Sequence, residues 1–138
     1  MRSFPATLSI AAIFAAVLAA TPALAETPMT GPEFDAETRG LTVTFAADGQ
    51  TFGTESYLEN GQTVWQFVDG PCVSGVWKAQ GEELCFAYAS DPVPACWRFF
   101  KTEGKLRGTL SDDAGILTIT ETARTATPLA CSPAPVQE

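Results

Sequence analysis

No histidine occurs anywhere in this sequence. Its absence removes Ser-His-Asp and Cys-His catalysis and the commonest metal ligand together. Carboxylates are left as candidate acids and bases. Glu82-Glu83 and Asp112-Asp113 are the adjacent pairs. Both fall at turn signals, where water keeps carboxyl pKa values ordinary. Glu55 is the sharper candidate, on the same side of an alternating stretch as Tyr57. A strand carboxylate ordinarily faces solvent, so Glu55 becomes a pocket residue only if that side lines a barrel interior. The four cysteines, Cys72, Cys85, Cys96 and Cys131, never form a C-x-x-C pair. Zinc ribbons and thioredoxin-type redox motifs are therefore disfavoured. Phosphate loops, dinucleotide fingerprints and EF-hand loops are also missing, so no metal and no cofactor is expected.

The start of the chain explains the cysteines. Arg2 precedes an apolar run from Leu8 to Ala20, and Ala23-Leu24-Ala25 stands before Glu26. Residues 1–25 read as a secretory signal peptide, which places the mature chain in the periplasm or outside the cell. In such an oxidising compartment four cysteines read as two disulfides. The formal net charge is −8, and loss of Arg2 with the leader makes the mature chain one unit more acidic. That charge repels nucleic acid and anionic headgroups. Neither nucleic acid nor, after cleavage, a membrane is an expected partner. Solubility is the plain reading of the charge, and a cationic partner is the sharper one.

The elements that must position these groups are short strands. The organising stretch runs from Gly75 to Trp97, GVWKAQGEELCFAYASDPVPACW, and reads as strand, turn, strand, loop, strand. Leu84, Phe86 and Tyr88 share one strand face, and Trp97 and Phe99 share another. Ser90-Asp91-Pro92-Val93-Pro94 reads as a loop, because proline cannot donate to a ladder. Antiparallel pairing that sets Cys85 opposite Cys96 also sets Leu84 opposite Trp97 and Phe86 opposite Ala95. A single register thus meets the thiol and the apolar requirements. Cys72 is then left for Cys131, although the other two connectivities stay open.

A capping box, Thr30 to Glu33 with Pro32 between, starts one short helix over residues 29–39 that carries Phe34. About eight strands follow, punctuated by Asp48-Gly49, Asn60-Gly61, Asp69-Gly70-Pro71, Gln80-Gly81, Glu103-Gly104 and Asp112 to Gly115. Asn60-Gly61 predicts a two-residue hairpin turn with Ser56 opposite Trp65 and Thr54 opposite Phe67. The fold class is mainly β, an antiparallel meander that closes into a small barrel or curls strongly. Residues 26–121 form one domain, and 122–138 form a Pro/Ala/Thr-rich tail tethered by Cys131.

Trp65, Trp77, Trp97, Tyr57 and Glu55 are the candidate ligand-binding residues. Tryptophans in a small β domain usually belong to the core, and they become a binding platform where they reach a barrel mouth. Arg98, Lys101, Lys105 and Arg107 surround one late hairpin and are expected to form salt bridges with the acidic strands.

Gly75-x-Trp77, Leu84-Cys85-Phe86-x-Tyr88 and Cys96-Trp97, with upstream Phe34 and Tyr57-Leu58, resemble an uncharacterised family of small exported proteins of Gram-negative bacteria. The resemblance covers most of Met29 to Gly108. It implies a periplasmic location and no established activity. The strand count is also similar to that of small periplasmic inhibitors of lysozyme or proteases, a likeness of architecture alone. The expected function is a non-enzymatic periplasmic binding module for a small molecule or a protein. The alternatives are an inhibitor of an envelope-directed hydrolase, or a hydrolase working through a carboxylate such as Glu55.

Overall fold

The computed structural model describes residues 16–131. Residues 1–15 of the expected leader lie outside them, and residues 16–30 carry no helix or strand. Among the described residues, no helix is long and apolar enough to cross a membrane.

Helix α1, Gly31–Thr38, begins where the capping box predicts. The Thr30 hydroxyl accepts from the Glu33 N–H, and the Glu33 carboxylate accepts from the Thr30 N–H. Arg39 caps its far end, and Gly40 then turns the chain at a φ of 77°. The helix is short and polar on most sides, so packing must hold it in place. Phe34 supplies that packing. It is fully buried and meets Tyr57, Trp77 and Phe86 edge-on at ring separations of 5.4, 5.2 and 6.2 Å. The Met29 N–H also donates to the Phe99 carbonyl at 2.7 Å. The helix thus plugs one end of the strand barrel, as an apolar side chain on a lone short helix requires.

Eight strands make up that barrel in chain order: β1 Thr42–Ala47, β2 Gln50–Tyr57, β3 Gln62–Phe67, β4 Cys72–Gln80, β5 Glu83–Tyr88, β6 Asp91–Thr102, β7 Lys105–Asp112 and β8 Gly115–Thr125. Each pairs antiparallel with its neighbours, and β8 returns to β1 to close the barrel. Closure removes the open strand edges, which is how a small all-β chain avoids pairing with other chains. Alternation then decides the rest. Val43, Phe45, Leu84, Phe86, Trp97, Phe99, Leu106 and Ile119 turn inward and form the core.

The β5–β6 register is the predicted one, with Cys85 opposite Cys96, Leu84 opposite Trp97 and Phe86 opposite Ala95. The Cys85–Cys96 disulfide joins two Cα atoms 4.0 Å apart, the close kind of antiparallel pair. The second disulfide, Cys72–Cys131, is also the expected one.

Three expectations need correction. The loop 90–94 is shorter than predicted, because β6 begins at Asp91. Between the pairs Phe86–Ala95 and Tyr88–Asp91, three residues of β6 stand against one of β5, so the prolines sit in a bulged strand edge rather than in a free loop. The hairpin at Asn60-Gly61 has three loop residues, not two. The Leu58 N–H donates to the Gln62 carbonyl at 2.8 Å and encloses Glu59-Asn60-Gly61. An odd loop moves every pair by one, so Glu55, not Ser56, lies opposite Trp65, and Gly53 lies opposite Phe67. Finally, β8 runs to Thr125, past the predicted domain end at 121, because its last turn pairs with Thr42 and Val43 of β1. The tail starts only there. It straps back over the outside of β2, where the Leu129 N–H donates to Ser56 Oγ at 3.0 Å, before Cys131 reaches Cys72.

Candidate ligand-binding site

Eight strands make a barrel whose interior is either filled by side chains or just able to hold one small ligand. This barrel does both. The helix and Phe34 fill one end. The other end opens on a cavity of about 330 Å³. Its wall is aromatic and aliphatic, with Phe52, Trp65, Phe86, Trp97, Leu110 and Ile119 prominent. Asp91 and Ser90 stand at its mouth. At the mouth, Phe67 and Val93 line the cavity and are more than half exposed, and Val68, next to Phe67, is exposed to the same degree, so the rim is apolar.

Two local features shape this wall. Gly53 stands where a Cβ would overlap the Trp65 ring, so glycine is what lets that indole lie against β2. A bulge where Phe45 meets Gly53 and Ala46 meets Thr51 leaves Phe52 as the extra residue, turning its ring toward the cavity.

Glu55 lies deep in this cavity and is only 4% exposed. Three hydroxyls converge on its carboxyl group. Thr63 Oγ1 lies 2.5 Å and Tyr88 Oη 2.6 Å from one oxygen, and Tyr57 Oη lies 3.2 Å from the other. Burial pushes the Glu55 carboxyl up to about 7, while the hydrogen bonds from Thr63, Tyr88 and Tyr57 favour the charged form and pull the other way. Burial and the nearby Glu55 charge raise both tyrosines, so they keep their protons as donors at any physiological pH.

A second buried carboxylate makes an informative contrast. Glu121 is 5% exposed, near the plugged end. It accepts from the Leu106 N–H at 2.8 Å and from Arg124 Nη2 at 2.7 Å, and Arg124 also reaches Glu37 at 3.0 Å. Burial works to raise Glu121, but the hydrogen bonds from Arg124 and Leu106 outweigh it and hold the group below the ordinary value. The fold thus gives Glu121 a guanidinium and gives Glu55 neutral hydroxyls alone.

Of the residues expected to bind a ligand, Trp65, Trp97 and Glu55 line the cavity. Trp77 and Tyr57 do not. Trp77 is half-buried against Phe34 at the plugged end, and Tyr57 is fully buried, reaching the site only through its hydroxyl. Sequence reasoning missed Tyr88, Thr63 and Phe52 as site residues. Tyr88 was legible from its alternation with Leu84 and Phe86; Thr63 was not, because a two-residue turn puts it on the face opposite Glu55 and only the three-residue loop brings the two together. Phe52 was not, because strict alternation sends it outside. Three of the four late basic residues form ion pairs, Arg98 with Glu82 at 3.8 Å, Lys101 with Glu37 at 3.0 Å and Arg107 with Glu26, but the partners of Lys101 and Arg107 lie on the helix and before it rather than on the strands, and among the described residues Lys105 forms none. Among the described residues, the Glu83, Cys85 and Cys96 cluster has metal-ligand spacing, but its two sulfurs are joined in the disulfide.

The fold and site together define a closed antiparallel β-barrel, plugged at one end and open at the other on an aromatic calyx. No protein family, curated protein or solved structure matches this chain.

Proposed function

We propose that this protein is a non-enzymatic binding module that takes a small, largely apolar molecule into the calyx, in the periplasm or outside the cell. The observation that carries the reading is the cavity of about 330 Å³, walled by Trp65, Trp97 and Phe86 and open through an apolar rim. Sites of this kind are concave, mostly apolar and equipped with a few placed polar groups. Binding is preferred to turnover because the groups touching Glu55 are three hydroxyls, with no second acid or base at hydrogen-bond distance among the described residues. A hydrolase of the two-carboxylate kind pairs acids about 5–9.5 Å apart, and the other carboxylate lining the cavity, Asp91, stands exposed at the mouth. The two disulfides fit an exported chain.

Titration with N-phenyl-1-naphthylamine, a neutral apolar fluorophore, tests the reading. Saturable enhancement at one site is expected, with loss when Ala95→Phe fills the cavity. Enhancement that survives in the folded Ala95→Phe protein would move binding elsewhere and end the proposal. The rim favours one further reading, a protein partner such as an envelope-directed hydrolase seated over the mouth. Exposed residues Phe67, Val68 and Val93 would form its contact. Substituting Val68, which is exposed and does not line the cavity, by serine would then weaken partner binding and leave fluorophore uptake intact.

A further inference from the structure

The calyx wall holds ionisable groups of one sign only. Among the described residues, Glu55 and Asp91 line it, and no lysine or arginine does. An anionic ligand, such as a fatty acid, would meet two like charges and no counter-charge. Glu55 also differs from the other buried carboxylate. Glu121 has Arg124 beside it, whereas Glu55 has only Thr63, Tyr57 and Tyr88. A buried carboxylate needs a cation or a proton to offset the loss of water. The fold supplies the cation for Glu121 and leaves the place beside Glu55 to something that enters through the mouth.

We propose that the calyx is built for an organic cation: an amine on an aromatic or apolar body, its ammonium seated on the Glu55 carboxylate and its body against Trp65, Trp97 and Phe86. This rests on the calyx reading and specifies its ligand class. Aromatic faces are the apolar wall best suited to a positive charge, because their quadrupole attracts it. The acidic chain, with its net charge of −8, raises the local concentration of cations.

The geometry also provides for the empty state. Thr63 Oγ1 stands 2.5 Å from Glu55 and 3.0 Å from the Ser56 carbonyl. Its single proton can go to only one of them. With Glu55 charged, Thr63 donates to the carboxylate. With Glu55 protonated, Thr63 turns its proton to Ser56 and accepts the carboxyl proton instead. Both states are fully hydrogen-bonded, so a proton holds the place until a cation displaces it. The other groups around Glu55 do not compete for that proton. Tyr57 on β2 and Tyr88 on β5 stay neutral, Val43 of β1 and Trp65 of β3 lie opposite it, Asp91 of β6 stands at the mouth, and Glu121 of β8 is tied to Arg124. Since burial raises Glu55 to about 7, an amine arriving below that pH must expel a proton.

Three ligands with one ring system test this: 2-(1-naphthyl)ethylamine, 2-(1-naphthyl)ethanol and 1-naphthylacetic acid, followed by calorimetry and tryptophan fluorescence on the full chain. At pH 8 the amine is expected to bind at least about tenfold more tightly than the alcohol, and the acid least. The amine's advantage should vanish in Glu55→Gln. Should that variant not fold, the wild type still decides. Calorimetry at pH 6 in two buffers of different ionisation enthalpy should show about one proton released per amine bound and none per alcohol. Alcohol binding as tight as amine binding, or no proton release, would overturn the cation inference and leave the calyx standing. Failure of all three to bind would remove the calyx reading as well.

Discussion

Glu55 and Trp65 face each other across β2 and β3, both turned into the barrel. A carboxyl group and an indole share one buried wall because a three-residue loop sets the hairpin register one step from where a two-residue turn would put it. The first consequence is electrostatic. Glu55 is an acid whose proton is held more tightly in the folded chain than in water. Its contribution to stability is therefore complete below the unfolded value near 4.5 and lost as pH rises through about 7.

Unfolding by urea should reveal that loss. Between pH 5 and pH 8 the wild type is expected to lose up to about 3 kcal/mol from this group. Glu55→Gln keeps the shape and cannot ionise, so its stability should stay nearly flat over the same range and exceed that of wild type at pH 8. An identical slope in both proteins would mean that Glu55 titrates like an ordinary surface carboxylate.

Glu121 predicts the opposite sign. Its carboxyl, like that of Glu37, is held below the ordinary value, so its contribution is present above 4.5 and disappears as pH falls through the lower folded value. Arg124→Leu should strand Glu121 as a buried charge. The expected loss is about 1–3 kcal/mol at pH 7, less than for a fully buried pair because Arg124 is itself about one-third exposed. At pH 4 the difference between variant and wild type should shrink, as Glu121 takes up a proton. Chemical denaturation at the two pH values measures both quantities. A loss equal at pH 7 and pH 4 would assign the effect to packing of the arginine stem instead.

Much of this arrangement was legible in the sequence, for identifiable reasons. The Cys85–Cys96 register followed from two requirements met at once, a sulfur pair and a shared apolar face. The helix plug followed from a capping box in front of one large apolar side chain. Burial of Glu55 was not legible, since a glutamate on an alternating strand gives the same pattern whether the polar side faces water or a cavity. Only closure of β8 onto β1 decides which it is. Two features opaque to pattern reading finished the site. One is the extra loop residue after Leu58, and the other is the bulge that turns Phe52 inward. Both are single-residue insertions, and a period of two carries no trace of them until the partner strand is known. Trp77 was misleading for a simpler reason. It alternates inward like Trp65, but β4 carries it to the plugged end.

Gly75 and Tyr88 supply the last prediction. They pair directly across β4 and β5, and a Cβ at position 75 would stand 2.6 Å from the Tyr88 ring and 2.8 Å from the Ala87 carbonyl oxygen. Glycine there is what lets the Tyr88 ring lie over β4 and bring its hydroxyl to Glu55. Gly75→Ala should therefore do two separable things. It should destabilise the barrel by about 1–3 kcal/mol, because a backbone oxygen cannot give way as a flexible side chain can. It should also push the Tyr88 hydroxyl off Glu55. Removing a bond that favours the charged carboxylate raises its pKa, so the fall of stability with pH should move to higher pH. Tyr88→Phe removes the hydroxyl without crowding β4, and it should reproduce the pH shift with a smaller loss of stability. Urea midpoints for both variants across pH 5 to pH 9 distinguish the two effects. A Gly75→Ala protein that is destabilised yet keeps the wild-type pH profile would show that Tyr88 holds its place without the glycine, and that the hydrogen bond is set by β5 alone.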